Sequence, residues 1–129
     1  MARILLIDDH FETREVVAQM LQLYGHSVYL AESAEAGWDR ISHATPDAVV
    51  VDQRLPGMSG LALLRRIRET PRFRALPVVL CSGDDSPRDA ALAAGAVDFW
   101  FKGSGGMFSA VARLGDKLGM TDIFNPASV

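Results

Sequence analysis

Cysteine is nearly absent from this sequence of 129 residues. Cys81 is its single cysteine, so no disulfide can form within the chain and a secreted disulfide scaffold is excluded. Long hydrophobic runs are lacking too, because no stretch approaches the ~18 apolar residues of a membrane-spanning helix. The first apolar run, residues 4–7, is too short for the core of a signal peptide. We therefore expect a cytoplasmic protein with no membrane contact.

The chain also has no excess of positive charge. Lys and Arg number 13 against 16 Asp and Glu, for a net charge of −3. A dedicated nucleic-acid binder needs a basic face for the phosphates, so we expect no direct nucleic-acid binding. A cluster of five arginines is interpreted as a solvated, salt-bridged helix face: Arg65, Arg66, Arg68, Arg72 and Arg74.

The length and composition fit one ordinary globular domain. Hydrophobic residues make up 49% and charged residues 22% of the chain, as in typical soluble domains. A chain this long can hold a core without metal or disulfide staples. We assign residues 1–119 to the domain and interpret residues 120–129 as a C-terminal tail or the start of a linker.

Short aliphatic runs alternate with longer helical patterns along the chain. Five runs predict strands, near residues 3–7, 27–31, 48–51, 77–81 and 97–101. Their successive apolar positions suit strands that are covered on both faces. Between them, apolar residues recur at helical spacing. Ser59 is a good N-cap, and Ser86 followed by Pro87 predicts the start of the fourth helix.

Five strand–helix units predict an α/β fold. Such a pattern requires a parallel sheet with helices on both faces. With right-handed crossovers, the common arrangement of five strands has the order 2-1-3-4-5. We therefore expect a flavodoxin-like, doubly wound (βα)5 domain.

Polar side chains follow four of the predicted strands. Asp8 and Asp9 end the first strand and Asp52 the third. Ser82 ends the fourth strand and Lys102 the fifth. Ligands of these sheets bind outside the carboxyl ends of the strands, so we expect the five side chains to share one site.

The residue types at this edge favour phosphoryl transfer. Three crowded carboxylates repel one another unless one is protonated or a cation compensates. Oxygen ligands alone, with no His or Cys expected nearby, indicate a hard ion, and Mg²⁺ is the expected one. Lys102 can neutralise a phosphate oxygen and Ser82 can donate a hydrogen bond to another. A carboxylate is an adequate nucleophile for this transfer.

The chain resembles the receiver domain of two-component response regulators over about residues 3–118. Each matching piece is weak alone, but their order and spacing are specific. The pieces are Ile7-Asp8-Asp9, Val49-Val50-Val51-Asp52, Gln53-Arg54-Leu55-Pro56-Gly57-Met58-Ser59-Gly60, Cys81-Ser82-Gly83, Ala94-Gly95-Ala96 and Phe99-Trp100-Phe101-Lys102.

The resemblance implies a phosphorylation-dependent switch rather than an enzyme, with weak phosphorylation and dephosphorylation activity of its own. Asp52 would accept a phosphoryl group from a sensor histidine kinase or a histidine phosphotransfer protein. Asp8 and Asp9 would hold Mg²⁺ together with Asp52. The backbone carbonyl of Arg54 would be a further metal ligand. Lys102 would pair with the phosphoryl group.

The resemblance also implies how phosphorylation would change the conformation of the domain. Ser82 would move toward the phosphoryl group, and Phe99 would change its rotamer with it. The face formed by the fourth helix, the fifth strand and the last helix would meet a downstream target or output domain, and a homodimer is a further option. Gly103 departs from the proline that usually follows the lysine, so we expect a more mobile loop and a less firmly held Lys102.

Three other functions fit these residues less well. A phosphate-independent pseudo-receiver would have no physical need for the charged set. A Mg²⁺-dependent phosphatase with an Asp nucleophile would have a second acid two residues on, where this chain has Arg54, which cannot protonate a leaving group. In a flavin binder, Asp8 and Asp9 would repel the cofactor's phosphate.

Overall fold

A computed structural model describes residues 2–103 and 106–119. Strands and α-helices alternate through these residues, with one short 3-10 helix (Pro71–Phe73) between the third α-helix and the fourth strand. The strands are β1 (Arg3–Ile7), β2 (Ser27–Ala31), β3 (Ala48–Asp52), β4 (Val78–Ser82) and β5 (Asp98–Phe101). The helices are α1 (Phe11–Leu23), α2 (Ala34–His43), α3 (Gly60–Glu69), α4 (Arg88–Ala93) and α5 (Met107–Lys117). No helix in these ranges is long and apolar enough to cross a membrane.

The strands form one parallel sheet in the order β2-β1-β3-β4-β5, which confirms the predicted fold class. At the carboxyl edge, Ile7 pairs with Val51 and Asp52 with Cys81. The sheet extends slightly beyond the apolar runs. The backbone N–H of Gln53 donates to the Cys81 carbonyl at 2.8 Å, so the ladder continues past the charged Asp52.

Alternate residues of each buried strand enter two different cores. Leu5 and Ile7 of β1 pack in a cluster with residues of α2, α3 and α4. Ile4 and Leu6 pack on the opposite face, in a cluster with residues of α1 and α5. All four side chains are at most 2% exposed, and each such burial contributes ~1.5–3 kcal/mol. The polar ends of the strands are therefore supported by a rigid sheet.

The start of α4 differs from the prediction. Ser86 is not the N-cap, because the helix begins at Arg88 and Pro87 occupies the cap position without a side-chain hydrogen bond. The Ser86 hydroxyl instead donates to Asp84 Oδ1 at 2.5 Å. The Ser86 backbone N–H donates to the same oxygen at 2.9 Å. Asp84 thus forms a tight turn that takes Ser86 out of the helix.

Four of the five arginines in this cluster are exposed, as predicted, and Arg68 is half-buried. Their partners are not carboxylates. Arg66 stacks over the ring of Trp38, with its guanidinium carbon 4.1 Å from the ring centroid. Half-buried Arg68 donates to the backbone carbonyls of Leu76 and Gly95, at 2.6 and 2.8 Å. Within residues 2–103 and 106–119, none of the five arginines forms a salt bridge. Cation–π contacts and carbonyl acceptors replace the predicted ion pairs.

Candidate functional site

The predicted site residues lie at the carboxyl edge of the sheet. Asp52 and Ser82 are the last residues of β3 and β4, and Asp8 directly follows β1. All three are buried, with exposures of 5%, 1% and 2% respectively. Asp9 is the exposed member of the set. The sheet therefore places two buried carboxylates beneath one that solvent reaches.

Lys102 joins the two buried carboxylates. Its Nζ lies 3.0 Å from Asp8 Oδ2 and 2.9 Å from Asp52 Oδ1. The Lys102 backbone N–H donates to the Ser82 carbonyl at 2.9 Å, which continues the ladder between β4 and β5. This backbone hydrogen bond fixes the position of the Lys102 Cα. The side chain then reaches from there to Asp8 and Asp52, which lie at the carboxyl ends of two other strands.

The site carries more negative than positive charge. Burial raises the pKa of the Asp52 carboxyl above its ordinary value, although the hydrogen bond and charge of Lys102 oppose the shift. For Lys102, burial lowers the pKa, but the contacts with Asp52 and Asp8 outweigh it and leave the pKa raised. Lys102 therefore stays charged. One ammonium group does not neutralise three carboxylates, so a further cation is favoured here.

Arg14 supports the turn that carries Asp8, and sequence analysis missed it. Its Nη1 donates to the backbone carbonyl of Asp8 at 2.9 Å, and the residue is 8% exposed. The backbone N–H of His10 donates to Asp8 Oδ1 at 2.9 Å. These bonds hold the backbone and the carboxylate of Asp8. The only signal in the sequence is a charged residue one turn into an amphipathic helix.

His10 corrects the sequence interpretation, which expected no histidine near the oxygen donors. The His10 Nδ1 lies 3.2 Å from Asp9 Oδ1 and 3.7 Å from Asp8 Oδ1. One ligand atom from each of Asp8, Asp9, His10 and Asp52 falls within 4.8 Å of the others. Its place directly after Asp9 was the available signal.

The site opens into a pocket of about 420 Å³. Arg54 and Asp84 stand at its rim, where Arg54 Nη2 lies 3.1 Å from Asp84 Oδ2. The pocket lining is His10, Thr13, Asp52, Arg54, Gly83, Asp84 and Lys102. An anion that reaches Asp52 through this opening therefore passes both the positive Arg54 and the negative Asp84.

The two predicted switch residues lie in neighbouring strands at different depths. The Ser82 hydroxyl accepts a hydrogen bond from the Asp84 backbone N–H at 3.3 Å. Phe99 is 8% exposed and belongs to the core cluster on the face of α2, α3 and α4. Phe99 pairs with Leu80, two residues before Ser82 in β4. Phe99 thus lies one layer below the site in the hydrophobic core.

The donor set fits a divalent cation. Asp8, Asp9 and Asp52 offer carboxylate oxygens, which are the ligands Mg²⁺ prefers. The pocket leaves room beside them for water or for a phosphoryl group. The structure therefore brings together Asp8, Asp9, Asp52 and Lys102, with Arg54 in the lining of the same pocket. Ser82 is buried and precedes the pocket-lining Gly83.

The chain matches the family model of the response regulator receiver domain over residues 4–106. It belongs to this family of two-component signalling domains. Members of the family pair with histidine kinases and output domains.

Named relatives agree with this assignment. The chain is 33% identical to a gliding motility regulatory protein of Myxococcus xanthus, over 81% of this chain and 14% of that protein. It is 38% identical to the response regulator MprA of a Mycobacterium species (strain KMS), over 75% of this chain and 42% of that protein. The chain thus spans less than half the length of these curated relatives.

A solved structure shares the fold. It is the signal receiver domain of a signal transduction histidine kinase from Syntrophus aciditrophicus, with 28% identity and a TM-score of 0.79. The alignment covers 95% of this chain and 96% of that domain. The likeness therefore extends over nearly all of both chains.

Proposed function

We propose that this domain is a phosphorylation-dependent switch in which Asp52 accepts the phosphoryl group. The observation that supports this most strongly is the bridge from Lys102 to both Asp8 and Asp52, at 3.0 and 2.9 Å. A buried carboxylate beside an open pocket and a fixed ammonium group is suited to phosphoryl transfer. Most of the catalysis in such a transfer comes from positioning the reactants and stabilising charge, and the protein itself supplies the carboxylate nucleophile.

The donor is a phosphohistidine of a sensor kinase or of a phosphotransfer protein. A carboxylate oxygen of Asp52 attacks phosphorus, the P–O bond forms and the P–N bond of the donor breaks. The bonding electron pair leaves with the imidazole of the donor. Lys102 keeps its positive charge and stabilises the phosphoryl oxygens as they approach.

Asp8, Asp9 and Asp52, with the backbone carbonyl of Arg54, are the residues that would hold Mg²⁺. A bound Mg²⁺ supplies positive charge to the phosphoryl oxygens. The protein's own part is to hold Asp8 through Arg14 and to bury the base of the cluster, where charges interact more strongly than in water.

Ser82 and Phe99 carry the switch in this proposal. A phosphoryl group adds about −1.5 to −2 charges and gives the O–H of Ser82 an acceptor, whereas the Ser82 oxygen now accepts a hydrogen bond from the Asp84 backbone N–H. The movement of Ser82 and its loop changes the packing above Phe99 in the core. The face of α4, β5 and α5 then presents a different surface to its partner.

The test is the intact mass of the protein after incubation with a small phosphodonor, with and without Mg²⁺. We expect one added phosphoryl group that requires Mg²⁺ and is absent in Asp52→Asn. Asp47→Asn is the matched control, because Asp47 is an exposed carboxylate that pairs with Arg3 away from the site. An adduct that persists in Asp52→Asn would overturn the assignment of Asp52. If neither an adduct nor Mg²⁺ binding is observed, the domain works as a phosphate-independent module.

A further inference from the structure

The ring of His10 lies at the edge of the acidic site, although the proposed function gives it no role. His10 occupies the N-cap position of α1, and its backbone is fixed by the bond to Asp8. Its side chain is 68% exposed, so no packing explains why the ring turns toward Asp9. The nitrogen at 3.2 Å from Asp9 Oδ1 is a donor of a different chemical type from the carboxylates around it.

The spacing of these atoms suits joint coordination of one ion. Adjacent ligands at ~2.1 Å in an octahedral shell are about 3.0 Å apart, and opposite ligands are about 4.2 Å apart. The distance from His10 Nδ1 to Asp9 Oδ1 is 3.2 Å. The ligand atoms of Asp8, Asp9, His10 and Asp52 all lie within 4.8 Å of one another. Small side-chain movements therefore suffice to place the nitrogen and the oxygens around one cation.

A nitrogen donor changes which ion the site prefers. Mg²⁺ favours oxygen ligands and keeps several waters. Imidazole suits first-row transition metals, and sites with nitrogen and oxygen donors follow the order Mn²⁺ < Fe²⁺ < Co²⁺ < Ni²⁺ < Cu²⁺. An additional imidazole thus strengthens the binding of these ions far more than that of Mg²⁺.

We propose that His10 is a metal ligand that makes this acidic site selective for a first-row transition-metal dication over Mg²⁺. The inference rests on the proposed function, since it concerns the same cluster around Asp52. It adds His10 to the metal ligands and adds a preference for one kind of ion. The transition-metal dication that competes with Mg²⁺ is bound by His10 as well as by the carboxylates.

The experiment compares Mg²⁺ and Ni²⁺ binding by calorimetry in the wild-type protein and in His10→Gln. We expect wild type to bind one Ni²⁺ that excess Mg²⁺ displaces. The ratio of the Mg²⁺ to the Ni²⁺ dissociation constant should fall at least tenfold in His10→Gln. Asp52→Asn should weaken the binding of both ions, which places the Ni²⁺ in this cluster.

His43→Gln is the matched control, because His43 is an exposed histidine in α2 that could bind Ni²⁺ without any relation to the site. The ratio should stay at the wild-type value in this variant. A ratio unchanged in His10→Gln, or a fall of the same size in His43→Gln, would overturn the proposal. These results leave the proposed function intact, because phosphorylation of Asp52 in Mg²⁺ is measured separately by mass. A wild-type protein that binds neither ion would overturn this proposal and the Mg²⁺ part of the proposed function together.

Discussion

The ammonium group of Lys102 lies 2.9 Å from Asp52 Oδ1, at the point where β3 and β5 present their polar ends to the same pocket. Asp52 is 5% exposed, and this single contact does not compensate for its loss of water. The carboxyl pKa remains raised by burial in spite of Lys102. The charged form of Asp52 therefore costs stability in the folded protein, and a cation or a phosphoryl group in the pocket changes that balance.

We expect Asp52→Asn to stabilise the metal-free protein at pH 7. A carboxyl whose pKa is raised on folding contributes stability below its unfolded pKa and loses it as pH rises through the folded pKa. Asn removes that loss, so the free energy of unfolding should rise by about 1 kcal/mol, or the Tm by about 4 °C. Thermal unfolding in EDTA measures it. The advantage should shrink as pH falls through the raised folded pKa toward the ordinary value of 3.8, because the folded Asp52 then takes up a proton and no longer carries a buried charge.

Mg²⁺ provides the complementary arm of this experiment. It should raise the Tm of the wild type in a concentration-dependent way, because it binds the folded state. The rise should be smaller in Asp52→Asn. A metal-free Asp52→Asn that is less stable than wild type at pH 7 would show that the Lys102 contact outweighs the cost of burial.

The carboxyl ends of the strands could be predicted because the apolar runs stop abruptly at polar residues. Ile7 is followed by Asp8, and Val51 by Asp52, and parallel topology then brings these ends together. Side-chain direction was beyond that reasoning. His10 was overlooked because whether its ring faces Asp9 or solvent depends on a rotamer. The sequence pattern predicts Ser86 as a cap, but its hydrogen bonds to Asp84 depend on the geometry of a whole turn, which the pattern does not show.

Arg68 shows the same limit on the opposite side of the domain. Its carbonyl acceptors, Leu76 and Gly95, precede two different strands and converge only in the folded sheet. A sequence pattern identifies the helix face on which Arg68 lies. It does not identify backbone acceptors that come from other loops, so salt bridges were the natural but wrong expectation.

The rim of the pocket should control access by small anions. Asp84→Asn leaves Arg54 without its partner and removes a negative charge from the opening. We expect phosphorylation of Asp52 by acetyl phosphate to become about two- to fivefold faster at low salt, with the difference falling as salt rises. The rate of adduct formation, followed by intact mass, measures it.

Asp85→Asn is the matched control for the rim. It removes the same charge one residue away, from an exposed side chain that is not among the pocket-lining residues. Its phosphorylation rate should stay near that of wild type. Equal acceleration in both variants would attribute the effect to net charge rather than to the ion pair at the opening.

Gly103 should be sensitive to a side chain because the ring of Phe101 lies against it. A Cβ at position 103 would be 2.5 Å from Phe101 Cζ and 2.8 Å from Cε2. Phe101 is 40% exposed, so its ring can move aside at a modest cost. We expect Gly103→Ala to destabilise the protein by about 1 kcal/mol, measured by denaturant unfolding.

A double-mutant cycle isolates this contact. In a Phe101→Ala background the ring is gone, and Gly103→Ala should be close to neutral. Gly83→Ala is the control, because no atom lies within 4 Å of a Cβ placed there. Equal destabilisation by Gly103→Ala in both backgrounds would mean that the backbone of the loop, and not the ring, disfavours a side chain.

His26 should make the stability of the domain depend on pH. The residue is 4% exposed, and its Nδ1 accepts a hydrogen bond from the Ala2 backbone N–H at 3.2 Å. Its buried Nε2 has no partner among the residues that the structure describes. Burial lowers the pKa of the imidazole from its ordinary 6.5, because the charged form would lose its water.

The sign of the effect follows from this lowered pKa. As pH falls, His26 takes up a proton in the unfolded chain before it does so in the folded protein. The free energy of unfolding therefore decreases between pH 6.5 and the lower pKa of the folded state. The slope is at most about 1.4 kcal/mol per pH unit. Denaturant unfolding between pH 7.5 and about 5 measures it, and His26→Asn, which keeps an acceptor for Ala2, should flatten the slope. His43→Gln, on the exposed side of α2, should keep the wild-type slope. If His26→Asn follows the wild-type curve, other groups determine the acid sensitivity of the domain.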